Sequence, residues 1–125
     1  MTRARLARAI ALSLALCASS GAAAQEVLPG QGAVVRWLDK VSGAAVDVEL
    51  QPGIEATQGR LIILLTECRY PAEDPSSNAF AYLTVYDQLY PDAAVFEGWM
   101  IADSPALNAM DHSRYDLWLL RCITS

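Results

Sequence analysis

The chain is expected to be mainly β, a small antiparallel sandwich or barrel of about seven strands with one short helix near Ser104–Met110. Three observations predict this. From Ala33 onward, short segments rich in β-branched and aromatic residues are separated by turn signals. Val46, Val48 and Leu50 alternate with Asp47 and Glu49, the period of a strand with one wet face. Cys68 and Cys122 fall in two separate strand-like segments, each in phase with apolar residues, as a bridge between strands requires.

Taken in order, Met1 to Ala24 has the three zones of a secretory signal: Arg3, Arg5 and Arg8, an apolar run from Ala9 to Cys17, and small residues ending at Ala22-Ala23-Ala24. The apolar run is shorter than the ~20 residues that span a bilayer. Cleavage is expected after Ala24. Leu16 stands where a lipoprotein signal carries Gly, Ala or Ser, which argues against a lipid anchor on Cys17. The rest divides into a flexible lead-in, residues 25–32, and a single β domain, residues 33–125, placed in the periplasm. Cleavage removes three of nine basic residues and none of fourteen acidic ones, so a net charge of −5 becomes −8. Such a surface offers nucleic acid no electrostatic footing and is repelled by anionic lipid.

Val34–Lys40 is expected to pair with Val46–Leu50 through Ser42-Gly43. Gln51-Pro52-Gly53 makes the next turn, with proline at the first corner and glycine taking positive φ at the second. Within Arg60–Cys68 the run Leu61-Ile62-Ile63-Leu64-Leu65 lacks alternation, which predicts a strand covered on both faces at the centre of the core. Tyr70–Asn78, carrying Pro71 and Pro75, reads as a surface loop. Ala79–Asp87 and Ala93–Ala102 read as strands joined around Tyr90-Pro91-Asp92. Ser104-Pro105 is a helix start, serine as N-cap and proline in the first turn, with Leu107 and Met110 facing the sheet. Tyr115–Cys122 is the last strand.

Simple parity places Cys68 with Ile62, Leu64 and Thr66, and Cys122 with Trp118 and Leu120. With Cys17 removed, these two thiols are expected to form a disulfide closing about 55 residues, worth roughly 4 kcal/mol. Their wide spacing does not suit a redox pair, and with His112 they make no familiar zinc set, so neither metal nor cofactor is expected.

Several stretches together resemble a bacterial family known as domain of unknown function family 2155, found mainly in alphaproteobacteria. They are Trp37-Leu38-Asp39-Lys40-Val41-Ser42-Gly43, Gly59-Arg60-Leu61 running to Cys68, Phe96-Glu97-Gly98-Trp99-Met100, Ser104-Pro105-Ala106-Leu107, and Tyr115-Asp116-Leu117-Trp118 ending at Cys122. The resemblance spans about 90 residues. The chain departs from the pattern after His112, with Ser113 where the family often has proline. The resemblance implies a small exported protein and carries over no catalytic residue.

Candidate chemistry therefore rests on the residues themselves. His112 lies in Asp111-His112-Ser113-Arg114-Tyr115-Asp116, near Ser104, which raises a Ser-His-Asp hydrolase. No nucleophile-elbow glycines or oxyanion-hole motif accompany it. Asp111 and His112 as caps of the helix end is the simpler reading. Glu73-Asp74 raises a glycosidase, but a polar proline-flanked loop does not raise a carboxyl pKa as a general acid needs. No catalytic residues are assigned. Trp99, His112, Tyr115 and Asp116, at the helix end, are the candidate interaction surface. The function expected is a non-catalytic periplasmic binding or envelope-interaction protein whose partner is another envelope protein. An inhibitor or modulator of an envelope enzyme is the alternative, and a small cell-wall hydrolase the third.

Overall fold

A computed structural model describes residues 25–124; the expected secretory signal at 1–24, Cys17 included, lies outside the described residues. Those residues form eight strands and no helix: β1 Val27–Pro29, β2 Gly32–Asp39, β3 Ala45–Leu50, β4 Ala56–Gln58, β5 Leu61–Pro71, β6 Phe80–Asp87, β7 Phe96–Ile101 and β8 Tyr115–Ile123. All pairings are antiparallel. One sheet runs β1-β5-β6-β7, with β4 also on β5; the other runs β3-β2-β8, and the two do not close into a barrel. β1 pairs with the end of β5 and β4 with its beginning, so two short strands share one side of the longest one.

The core is the space between the sheets. Leu61, Ile63, Leu65, Ala81, Leu83, Val85, Phe96 and Met100 enter it from the larger sheet, and Ala33, Val35, Trp37, Leu50, Leu117 and Leu119 from the smaller, all at most 8% exposed. Each large aliphatic side chain buried this way contributes roughly 1.5–3 kcal/mol. β3 shows the expected alternation fading along an edge strand: Leu50 is buried, Val48 half-buried, Val46 exposed.

The turns follow their residues. Asp39 Oδ1 accepts the Val41 N–H at 2.9 Å, and the β2–β3 connection closes with Gly43 at φ 77°. At Gln51-Pro52-Gly53 the glycine takes φ 78° and the Ile54 N–H donates to the Gln51 carbonyl at 3.1 Å.

Four expectations change. Residues 25–32, read as a flexible lead-in, contain β1. Tyr70 and Pro71, read as loop, extend β5. The helix near Ser104–Met110 is absent, and only one turn remains, the Leu107 N–H donating to the Ser104 carbonyl at 3.1 Å. Seven residues offset the cost of helix nucleation with few bonds, while competing anchors pull the segment straight. The Asp103 N–H donates to Asn78 Oδ1, the Asn108 side chain donates to the Trp99 carbonyl, each at 2.9 Å, and Met110 is buried while Leu107 is solvent-facing. This segment is a strap along the β7 side of the sandwich.

The fourth change concerns the cysteines. They are bonded, with Cα atoms 5.7 Å apart, and join β5 to β8 and so one sheet to the other. Both point inward as expected, but not by simple parity. Thr66 has no partner between Leu65↔Leu83 and Glu67↔Tyr82, and Leu120 has none between Leu119↔Val35 and Arg121↔Val34. Each is a bulge residue, and each shifts the phase by one, which moves every later side chain to the other face. Cys68 therefore lies with Leu61, Ile63 and Leu65, and Cys122 with Leu117 and Leu119, while Trp118 faces away from Cys122. Gly30 crosses from β1 to β2 against this bond: its N–H donates to the Cys68 carbonyl at 2.7 Å, and a Cβ there would meet the Cys122 Cβ at 3.0 Å.

Candidate functional site

Two features outside the ordinary core could carry function: a buried polar cluster at one end of the sandwich and an apolar outer face on the larger sheet.

The cluster forms because β2 and β6 both end on a carboxylate of inward parity. Asp87 follows Ala81, Leu83 and Val85, and Asp39 follows Val35 and Trp37. A carboxylate there must be paired to stay charged. Asp87, with a side chain 1% exposed, accepts Arg60 Nη2 at 2.9 Å and Nε at 3.3 Å, the Leu89 N–H at 2.9 Å, and His112 Nε2 at 2.8 Å. His112 Nδ1 faces the N–H groups of Arg114 and Tyr115 at 3.0 and 3.1 Å. Two donors aimed at Nδ1 require a lone pair there, so the ring proton sits on Nε2 and is donated to Asp87. Asp39 holds Arg114 Nη2 at 3.2 Å.

Tyr115 ties the two carboxylate pairs together. Its ring stacks on His112 and tilts against Trp37, both with centroids 5.2 Å away, and the guanidinium groups of Arg60 and Arg114 lie 5.6 and 5.4 Å from it. Its hydroxyl accepts the Arg60 N–H at 3.4 Å. Gly59 turns into β5 at φ 56°, where a Cβ would meet Trp37 Cζ2 at 2.7 Å. With both ring nitrogens committed, His112 presents neither a free base nor a free proton to a substrate, and the cluster's visible work is to pin the start of β8. Among the described residues no group of three or more His, Cys, Asp or Glu side chains is placed to hold a metal ion.

The cluster is expected to make the fold sensitive to acid. For Asp87, burial is the largest influence and opposes ionisation, but hydrogen bonds from Arg60, the Leu89 N–H and His112, with the Arg60 charge, outweigh it and hold the carboxyl at about 2. For Asp39, the Arg114 hydrogen bond leads, opposed by burial and helped by the Val41 and Ser42 N–H groups, and the carboxyl again lies at about 2. A folded pKa below the unfolded one means that the unfolded chain binds more protons as pH falls. Stability is therefore expected to hold above the ordinary carboxyl range near ~4 and to drop as pH falls from there through about 2. Urea midpoints measured across that window check this, and a flat profile contradicts it.

The outer face of the larger sheet is the second feature. Its side chains form cross-strand rows: Arg69–Phe80–Ile101, Glu67–Tyr82–Trp99, Leu64–Thr84–Glu97 and Thr57–Ile62–Tyr86. A solvent face is normally polar; this one carries an aromatic stripe along β6, flanked by Ile62, Leu64, Trp99 and Ile101 and bordered by the charged Glu67, Arg69 and Glu97. Trp99 is 37% exposed, meets Tyr82 edge-on with centroids 5.5 Å apart, and has the Arg69 guanidinium 5.5 Å from its ring. Arg69 is itself held by Glu67 at 2.9 Å. At one end Val27, Arg69, Phe80, Trp99 and Ile101 line a shallow hollow of about 350 Å³.

Residues 33–122 match the model of a family described as an uncharacterized protein conserved in bacteria, DUF2155. The chain belongs to the DUF2155 family. The matched span covers both sheets from β2 to β8 and contains both cysteines. No curated protein and no solved structure matches the chain.

The DUF2155 fold does not bring the four candidate interaction residues together. Trp99 lies on the outer face of the larger sheet, whereas His112, with a side chain 6% exposed, and Tyr115 are buried in the cluster at the start of β8. Asp116 is half-exposed, 3.7 Å from Lys40 Nζ. Asp111 and His112 have no helix to cap; His112 instead receives the backbone N–H groups entering β8. Glu73 and Asp74 are solvent-exposed, and Asp74 is engaged by Ser76 and Ser77 in its own loop. Asp39, Arg60 and Asp87 escape the sequence reading, although parity within Val34–Lys40 and Ala79–Asp87 already places each aspartate on the inward side.

Proposed function

We propose that this DUF2155 protein is a non-catalytic binding protein of the bacterial envelope, exported to the periplasm, and that its partner is another envelope protein seated on the outer face of β5, β6 and β7. One observation carries the reading. The outer face of the larger sheet carries Phe80, Tyr82, Tyr86 and Trp99 with Ile62, Leu64 and Ile101, interrupted by Glu67, Arg69 and Glu97, while the strands of the smaller sheet pack against its other, buried face. Exposed apolar patches of this kind mark interaction surfaces. A buried disulfide supports an oxidising compartment, and the commitment of His112 to Asp87 and to two backbone donors favours a structural role for the polar cluster.

Site-specific photocrosslinking in cells tests this. A photoreactive phenylalanine at position 82 is expected to yield a discrete crosslinked envelope protein, and the same group at Leu107, on the strap, is expected not to. Trp99→Ala should cut the yield about tenfold, as loss of an aromatic anchor does. Equal crosslinking from both positions, or turnover of an envelope substrate by the purified protein, sinks the proposal.

A further inference from the structure

We infer that the occupant of the outer face is a single amphipathic α-helix of a partner protein, about 13 residues long, with an apolar stripe laid along β6 and lysine or arginine on its flanks. This rests on the binding role proposed above and adds the class of partner.

Size is the first reason. The stripe runs from Phe80 to Tyr86 on β6, roughly 20 Å at ~3.4 Å per residue. Across it lie β7, β6, β5 and then β1 or β4, spanning roughly 14 Å at ~4.8 Å per strand. That is roughly 300 Å², well below the ~800 Å² per partner that a stable protein dimer buries. A second copy laid face to face therefore lacks area. Residues 25–125 hold fourteen acidic and six basic residues, so each copy carries a net charge of −8 and like charge opposes self-pairing. A helix ~10 Å wide, rising ~1.5 Å per residue, covers the same stripe in about 13 residues.

The second reason is the kind of surface. A sheet face turns side chains toward the visitor and its backbone groups toward neighbouring strands, so an extended peptide finds no ladder to join here. A helix satisfies its own backbone and needs only apolar contact. The hollow beside Phe80, Trp99 and Ile101 accepts one large side chain from it.

Charge is the third. Glu67 on β5 and Glu97 on β7 stand on opposite sides of the β6 stripe; Glu67 is tied to Arg69 two residues along β5, and Glu97 accepts the Tyr82 hydroxyl and has no cation beside it among the described ion pairs. On so acidic a protein these borders favour a helix with basic flanks.

The test titrates the purified protein with a synthetic peptide of about 14 residues, leucine at helical spacing on one side and lysine on the other, followed by calorimetry and by amide shifts of β6 and β7. Binding in the micromolar range is expected. It should weaken at least about tenfold for a scrambled peptide of the same composition, for a glutamate version, and for Trp99→Ala. Ile101→Lys is a second face variant in case Trp99→Ala alters folding, with thermal melts confirming that each is intact; Leu107→Lys should bind normally. Absence of binding at about 1 mM peptide, equal binding of the scrambled or glutamate peptide, or indifference to both face variants overturns the helix. So does binding to phosphatidylcholine vesicles that the face variants abolish, which identifies a lipid surface instead. A Trp99-dependent envelope crosslink without peptide binding discards the helix and keeps the binding role; loss of both discards both.

Discussion

Replacing Asp87 with alanine is expected to cost about 2–5 kcal/mol, chiefly from two donors left without an acceptor at about 1–3 kcal/mol each. The carboxylate is nearly sealed from solvent and takes four hydrogen bonds from three residues. Its removal leaves the His112 Nε2–H and the Leu89 N–H without an acceptor and the Arg60 guanidinium without its counter-charge. Arg60 is partly exposed and can turn to water, but the His112 side chain, 6% exposed, cannot. The loss is a large share of the ~5–15 kcal/mol that holds a typical domain together, and the melting midpoint should fall by at least about 10 °C. Asp87→Asn keeps the shape and one acceptor, so it should fall between the alanine variant and the native protein. Asp47→Ala, which removes an exposed partner of Arg36 on the smaller sheet, should change little. Thermal melts of the three variants at neutral pH decide the matter. If Asp87→Ala melts like Asp47→Ala, the cluster does not hold the end of the sandwich.

The second large effect is expected from the disulfide. Cys68 and Cys122 are 54 residues apart in sequence, and opening a loop of that length returns roughly 4 kcal/mol of chain entropy to the unfolded state. The loop contains β6 and β7 and the strap, so the reduced unfolded chain gains freedom over half the domain. The double change Cys68→Ala with Cys122→Ala should lower the urea midpoint by the corresponding amount, and reductant should do the same to the native protein while leaving the variant unmoved. A shift under about 1 kcal/mol in both would show that the two sheets hold together without the covalent link.

Much of this architecture was legible because strand periodicity is a local signal. Six of the eight strands, the Ser42-Gly43 and Gln51-Pro52-Gly53 turns, and the cysteine pair follow from alternation, turn residues and thiol number. β1 and β4 did not, since three-residue strands are too short to show a period and exist only because β5 offers them its edge. The strap defeated the helix expectation because Ser104-Pro105 is a genuine start signal whose continuation is decided by distant partners, Asn78 and the Trp99 carbonyl. Inward parity at Asp39 and Asp87 was readable, but their arginine partners come from other strands and loops, and pairing across the fold leaves no trace in spacing. The unbroken apolar run in β5 led to an expectation of cover on both faces, and the structure corrects it: Leu61, Ile63 and Leu65 are buried, whereas Ile62 and Leu64 stand half-buried on the outer face. The smaller sheet supplies one side, and the outer positions Ile62 and Leu64 are where the proposed partner would supply the other.

The paired bulges give the disulfide a role beyond holding the sheets. Thr66 and Leu120 each sit two residues before a cysteine, and each reverses the facing of the side chains after it. A chain that slips by one residue in either strand turns one sulfur outward, away from its mate. The closed bond is therefore compatible with one alignment of the two strands, so it fixes register as well as distance: a slip in either strand has to strain the bond or turn the core outward.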